Sequence, residues 1–305
     1  MSWNDAHGAA MIAAAQAHQE LGARVDDYVD VFGALRRAGV EVMGQKLGGL
    51  LGLYVDSSSG VAAGCLVNTG LEEVAMRHTA AHELGHHRMF HGTSIDHQDQ
   101  ASGRWGDGWP QHEREAEAFA SWFLMPRPAA RTALDRCGLQ LPEAPADAYR
   151  MARWLGVPYA TAVRHLVRLK VIDRHDETEW LKHSPADLKS QLSGGLPVDR
   201  QAHVHLLNPE AFGATLHVTA GDCLVLAMPG GRFVDPPAGM SSSAPDTPGQ
   251  LTLLGPLTPE PARALWVGDG LAEETVLSSV TDAAEPFLIS LRRTPSREGS
   301  DHFWS

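Results

Sequence analysis

Residues 79–91 combine three side chains that can bind and use a metal ion. The segment reads T-A-A-H-E-L-G-H-H-R-M-F-H and contains an H-E-x-x-H motif, with His82 and His86 four positions apart. On a helix, this spacing puts the two imidazoles on one face, one turn apart. Two neutral imidazoles that converge on one point form half of a zinc site. Glu83 follows the first histidine, where its carboxylate can take a proton from a metal-activated water. The pattern predicts zinc-dependent hydrolysis of a peptide bond.

The metal ion needs a third protein ligand, and a catalytic zinc site also keeps one position open for water. A three-histidine arrangement is excluded, because the position six residues after His86 is Gly92. His87 and His91 are expected to point away from the metal-binding face at helical spacing. We therefore expect the third ligand to come from a second helix.

The second helix is predicted over residues 111–125, where apolar side chains recur on one side before the prolines that end it. Glu113 and Glu117 share a face of this helix with two alanines, whose small side chains allow a close approach between helices. Either glutamate can be the third ligand on geometry alone. In the first helix, Gly85 lowers helix stability by about 1 kcal/mol relative to alanine, which is tolerable where another segment packs close to its backbone.

The metal-binding helix is predicted over residues 71–90, and the segments around it must position it. Residues 5–38 read as mostly helical, because apolar residues recur at three- and four-residue spacing. Short β runs follow at 40–43, 50–56 and 61–68. The last of these runs is the expected sheet edge, with which an extended peptide substrate can pair. The polar, glycine-rich residues 94–108 are predicted to form a loop. The sequence thus predicts an α+β fold, with a zinc metallopeptidase domain over residues 1–135.

Two further segments follow the predicted peptidase domain. Residues 145–185 are predicted to form a helix-turn-helix-like helical segment with its turn at Gly156. Seven basic and four acidic residues lie from Arg150 to Lys182. This excess is small for phosphate binding, so a packing role is favoured over DNA contact. Residues 196–305 change to a period of two and are predicted to form a β-rich sandwich or barrel-like domain, with a sensor or docking role. Its strands are predicted at 202–207, 214–218, 223–228, 251–254, 264–267, 275–280 and 287–292.

Composition disfavours several classes of function. The chain has 305 residues and a net charge of −12, which is poorly suited to broad contact with nucleic acid. Its three cysteines are widely spaced and indicate neither a disulfide framework nor a C-x-x-C site, which favours a reducing cytoplasm. Neither a signal peptide nor a membrane span is recognised. We therefore expect a cytoplasmic protein without membrane contact, whose oligomeric state the sequence leaves open.

Two segments carry a combination of motifs: R-H-T-A-A-H-E-L-G-H-H in the first helix and E-R-E-A-E-A-F-A-S-W-F-L-M-P in the second. Together they resemble the paired signatures of the ImmA/IrrE family of metallopeptidases. The resemblance covers residues 10–180, roughly, and implies a zincin-like domain that binds Zn²⁺ through His82, His86 and Glu113. Glu117 stands where the family usually has Asn or Asp, as a partner that orients a ligand histidine. It is kept as the alternative third ligand.

The resemblance also implies a function. Family members typically cleave a transcriptional repressor and so release a stress, prophage or mobile-element response. We therefore expect a zinc-dependent endopeptidase with a protein substrate, a helix-turn-helix repressor. Two alternatives stay open. One is a non-catalytic regulator that keeps zinc for structure and binds DNA or serves as a scaffold. The other is a phage-defence or toxin-linked protease with a different target.

Overall fold

The computed structural model describes residues 2–57, 62–97, 109–228, 230–242, 263–280 and 286–294. These residues form a mixed α+β structure that divides into two compact units. The first unit comprises the described residues of Met1–Thr132 and Leu155–Leu169, and the second those of Ala133–Trp154 and Lys170–Ser296. The domain limits 1–135, 145–185 and 196–305 stay a prediction.

The elements are numbered in chain order within the described residues. The helices are α1 (Trp3–Glu20), α2 (Val31–Arg37), α3 (Glu73–Arg88), α4 (Gln111–Leu124), α5 (Arg127–Arg136), α6 (Pro145–Leu155), α7 (Tyr159–Arg168), α8 (Arg174–Trp180) and α9 (Pro185–Leu192). The strands are β1 (Glu41–Gln45), β2 (Leu50–Val55), β3 (Gly64–Asn68), β4 (Ser94–His97), β5 (Val204–Leu207), β6 (Thr215–Val218), β7 (Cys223–Leu226), β8 (Arg232–Val234), β9 (Met240–Ser241), β10 (Ala264–Val267), β11 (Glu274–Val280) and β12 (Phe287–Arg293).

The N-terminal residues form two helices, whereas the apolar spacing over 5–38 predicted a mostly continuous one. α1 begins at a capping box, in which the side chains of Ser2 and Asp5 each accept a hydrogen bond from the other's backbone N–H. It ends before Gly22, whose φ of 57° is a left-handed conformation that glycine adopts without strain. α1 packs against α4 through its buried alanines, whose small side chains allow a close approach.

The first unit contains a four-stranded sheet in the order β1-β3-β2-β4. β3 pairs with both β1 and β2, so the expectation that residues 61–68 form the sheet edge is wrong. The prediction of a loop from residue 94 is also wrong at its start, because β4 pairs antiparallel with β2 at one end of the sheet. The rest of that predicted loop, 98–108, lies outside the described residues. Four residues are too few for an alternating pattern to identify a strand.

One face of this sheet lies against α3. Gly52 and Tyr54 of β2 are buried on that face. Their partners across the antiparallel pair are Asp96 and Ser94 of β4. Residues directly opposite each other in a sheet share a face. β4 therefore presents Ser94 and Asp96 to the same interior as α3.

Helices α3 and α4 approach each other closely at Gly85. A Cβ atom on this glycine would lie 3.0 Å from Cα of Ala116, 3.1 Å from its carbonyl oxygen and 3.1 Å from Cβ of Phe119. These distances are shorter than ordinary van der Waals contact, so a larger residue would push the helices apart. Gly85 thus allows the close approach between α3 and α4 that a glycine inside a helix suggested.

The second unit contains two four-stranded sheets, in the orders β5-β7-β10-β9 and β6-β12-β11-β8. Val204, Cys223, Ala264 and Trp266 are buried together in one core cluster. The predicted strand at 251–254 lies outside the described residues. Helices α8 and α9 also belong to this unit.

Helices of the described residues are all too short or too polar to cross a membrane. The three cysteines, Cys65, Cys137 and Cys223, are free and buried.

Candidate metal centre

Helix α3 presents His82, Glu83 and His86 to the interior of the first unit, where they are 5%, 0% and 0% exposed. The helix has an acidic residue in its first turn and basic residues in its last turn. Both charges are favourable to the helix dipole. The polar residues of the motif are therefore buried on a helix whose ends are stabilised by residues outside the site.

Four side chains bring one possible ligand atom each to a common point: His82, His86, Asp96 and Glu113. Nε2 of His82 lies 3.1 Å from Nε2 of His86, 3.1 Å from Oε2 of Glu113 and 3.2 Å from Oδ2 of Asp96. Nε2 of His86 lies 3.6 Å from the same glutamate oxygen. The structure thus brings Glu113 from α4 and Asp96 from β4 to the two histidines of α3.

These distances fit a coordination shell better than a hydrogen-bonded cluster. An imidazole nitrogen carries at most one proton, and Nε2 of His82 has three polar neighbours at 3.1–3.2 Å. Four tetrahedral ligands placed about 2 Å from a zinc ion are separated by roughly 3.3 Å. The donor set of imidazole nitrogens and carboxylate oxygens is also one that zinc accepts.

Glu117 lies behind His82, on the side away from the converging atoms. Its Oε2 is 3.3 Å from Nδ1 of His82, and its Oε1 is 2.8 Å from Nε2 of His78. Burial raises the pKa of Glu117, but the charge of His78 and its hydrogen bond lower it well below its usual range. A carboxylate at Nδ1 fixes the proton there and leaves Nε2 as the free lone pair. Of the two candidate ligands on α4, Glu113 and Glu117, the nearer to the common point is Glu113.

His91 and Glu115 form a series of contacts with the Nδ1 side of the His86 imidazole, away from the converging Nε2 atoms. Nδ1 of His86 lies 3.0 Å from Nδ1 of His91, and Nε2 of His91 lies 3.0 Å from Oε2 of Glu115. Sequence reasoning placed His91 away from this face, because it assumed that the helix continues. α3 ends at Arg88, and Phe90 has a φ of 58°. The chain turns back there, so that the backbone N–H of His91 donates to the carbonyl of His86 at 2.9 Å.

Glu83 is the buried carboxylate beside the converging atoms. Among the described residues, neither of its oxygens has a hydrogen-bond partner. Burial raises the pKa of Glu83 well above its usual value, and the nearby charge of Asp96 raises it further. The raised pKa means that the carboxylate of Glu83 has a high affinity for a proton, as a proton acceptor in a dry site requires.

Strand β4 supplies two groups that sequence reasoning missed. Oγ of Ser94 donates a hydrogen bond to Oε1 of Glu113 at 2.7 Å, which turns the other carboxylate oxygen towards the histidines. Asp96 is 7% exposed and lies two residues further along the strand. The alternation S-I-D gave a signal, but it was too short to separate a strand from a polar loop.

The electrostatic character of the site favours a cation. Burial raises the pKa of Glu113, yet hydrogen bonds from His82 and His86 lower it well below its usual range. Burial lowers the pKa of His82, but the charge of Asp96 and the hydrogen bond to Glu113 raise it well above its usual value. A divalent metal ion at this point would take the place of the proton on His82 and would supply positive charge to the facing carboxylates.

A pair of imidazoles with facing carboxylates, beside a further buried glutamate, is the arrangement of a metallopeptidase. Residues 36–166 match the family model Peptidase_M78, described as the IrrE N-terminal-like domain. The resemblance to the ImmA/IrrE family is thereby confirmed over residues 36–166, which are similar to the metallopeptidases of that family. A comparison with curated proteins gave no significant match.

Proposed function

We propose that the protein is a zinc-dependent endopeptidase with a zincin-like domain, in which His82, His86 and Glu113 hold the metal ion. The observation that carries the proposal is the convergence of Nε2, Nε2 and Oε2 of these residues beside the unpartnered carboxylate of Glu83. Two imidazoles and one carboxylate are a ligand set found in catalytic zinc sites of peptidases.

Each residue has a separate task in this proposal. When bound, the metal ion supplies Lewis-acid polarisation of the scissile carbonyl and lowers the pKa of the attacking water. Glu83 takes the proton from that water and later delivers it to the leaving amine. Glu117 and His91 hold the imidazoles of His82 and His86 from behind, so that Nε2 of each faces the metal.

The proposed substrate is a protein, a helix-turn-helix transcriptional repressor, whose cleavage starts a stress, prophage or mobile-element response. Support comes from the family of residues 36–166. Cytoplasmic action is part of the proposal and rests on the cysteine usage of the sequence. Residues 196–305 are proposed to form a sensor or docking domain, because they lie outside the residues that match the peptidase family.

Substrate trapping with Glu83→Gln tests the proposal. This variant should bind one zinc ion, as the wild type does, and should retain a target protein that only the wild type cleaves. Glu41→Gln is the matched control, because Glu41 is an exposed carboxylate on β1 of the same unit. Cleavage by Glu83→Gln at the wild-type rate would refute the assigned role. Tight, salt-sensitive duplex binding without any cleavage by the wild type would instead support the DNA-binding alternative.

A further inference from the structure

The fourth member of the converging cluster, Asp96, has no role in the function proposed above. It comes from β4, at the end of the sheet, and its partner across the strand pair is Gly52. Both residues face α3. The side chain of Asp96 therefore enters the site from the sheet, whereas that of Glu113 comes from α4.

The contacts of Asp96 are those of a ligand in need of a cation. Its Oδ2 lies 3.2 Å from Nε2 of His82, about the separation of two ligands on one zinc ion. Its Oδ1 is buried without a hydrogen-bond partner in the part of the chain that the structure describes. A buried carboxylate is unfavourable unless it is paired or binds a metal. Only 7% of the residue is exposed, so the carboxylate lies away from bulk water.

We propose that Asp96 is a fourth protein ligand of the metal ion and that it closes the position that the attacking water needs. The inference rests on the proposed function, because it takes His82, His86 and Glu113 as the other ligands. A zinc site with four protein ligands is of the closed, structural kind, whereas a catalytic site keeps one position open. The structure thus shows a resting state, and withdrawal of Asp96 produces the active one.

The position of Asp96 makes withdrawal feasible. β4 has four residues, and within the described part of the sheet it pairs with β2 alone. The register of that pair shifts between Leu50 and Gly52, next to Asp96. A short strand at a sheet edge with an irregular register is held by few hydrogen bonds and opens at low free-energy cost. The other three ligands lie on helices that pack closely at Gly85.

The test compares Asp96→Asn, which keeps the shape, and Asp96→Ala with the wild type and Glu41→Gln. Zinc affinity is measured by competition with a chelator, and cleavage of the trapped substrate is measured at saturating zinc. Loss of a direct ligand should weaken zinc affinity by more than the roughly 10–100-fold that loss of an outer, orienting partner costs, and cleavage at saturating zinc should become faster than in the wild type. Glu41→Gln should match the wild type in both.

A second measurement needs no variant. Cobalt-substituted wild type should show no exchangeable water at the metal in solvent-proton relaxation, since Asp96 fills that position. A metal-bound water in the resting wild type overturns the closure, as does a loss of cleavage in both Asp96 variants when they bind zinc. Unchanged zinc affinity in both folded variants, or a loss no larger than that of an outer, orienting partner, overturns the ligand role. Failure of the wild type to bind zinc, or cleavage that survives Glu83→Gln, overturns the proposed function instead.

Discussion

Gly52 of β2 lies directly against the carboxylate of Glu83 on α3. A Cβ atom at position 52 would overlap Oε1 of Glu83 and would lie 2.6 Å from Cγ2 of Thr79. The carboxylate of Glu83, the proposed proton acceptor, therefore fits beside β2 because Gly52 has no side chain. β2 and α3 are thus complementary in shape beside the carboxylate of Glu83.

Gly52→Ala should thus impair catalysis without removing the metal. The added methyl group displaces Glu83, and loss of a positioned general base lowers the rate by on the order of 100-fold or more. The measurement is kcat together with bound zinc. Gly64→Ala is the matched control on the neighbouring strand, because its Cβ would meet only the carbonyl oxygen of Glu41, at 3.9 Å. Equal activity of the two variants would contradict the assignment of Glu83.

Gly85→Ala should destabilise the first unit. The methyl group overpacks the contact with Ala116, which costs about 1–3 kcal/mol, and the gain of about 1 kcal/mol in helix propensity offsets only part of it. Urea unfolding measures the difference. Gly8→Ala on α1 should stabilise the protein, because no atom lies within 4 Å of the added Cβ. A stabilised Gly85→Ala variant would show that the helices separate without cost.

Glu113 and Glu117 should differ in what their loss does to zinc binding. Glu113→Ala removes a proposed ligand and should abolish stoichiometric zinc. Glu117→Ala removes only the group behind His82 and should weaken zinc affinity by on the order of 10–100-fold. Elemental analysis after dialysis and chelator competition separate the two effects. The opposite order would make Glu117 the third ligand.

His91→Ala should reduce zinc affinity by on the order of 10–100-fold, because the imidazole of His86 loses the partner that fixes its orientation. His87→Ala is the control. The Nδ1 of His87 lies 2.9 Å from the hydroxyl of Tyr54, away from the converging atoms, so its loss should leave zinc affinity unchanged. Equal effects of both substitutions would mean that His91 acts through general stability.

The buried His165 of α7 should make the protein less stable in weak acid. Burial, with a smaller contribution from the charge of His7, lowers the pKa of His165 from 6.5 to about 3. The folded state keeps the imidazole neutral, whereas the unfolded state binds a proton below pH 6.5. Stability should therefore fall as the pH falls through this range, by about 2 kcal/mol at pH 5.

His165→Gln should remove that part of the pH dependence, because glutamine does not titrate. Its amide can still donate the hydrogen bond that Nε2 of His165 makes to the carbonyl oxygen of Met125, at 3.1 Å. Urea unfolding at pH 7 and pH 5 measures it for both proteins. His175→Gln replaces an exposed histidine and serves as the control. An identical loss of stability in wild type and His165→Gln would assign the acid sensitivity to other groups.

The sequence predicted those parts of the site that depend on local spacing. His82 and His86 meet because four positions make one helical turn, and a glutamate from a second helix was expected from the motif around Glu113. Asp96 was missed because its strand exists only through pairing with β2. His91 was missed because Phe90 adopts a left-handed conformation that sequence pattern assigns to glycine. The periodicity of apolar residues predicts neither the pairing of a short strand nor an unusual dihedral angle at a single residue.

The proposed ligands come from α3, β4 and α4, three separate elements that follow one another along the chain. A bound ion would therefore act as a cross-link within the peptidase domain, and its binding free energy would add to the free energy of unfolding. Zinc starvation would then do more than stop catalysis. It would loosen β4, the short strand at the end of the sheet, and would make the protein open to cleavage by other proteases at that strand.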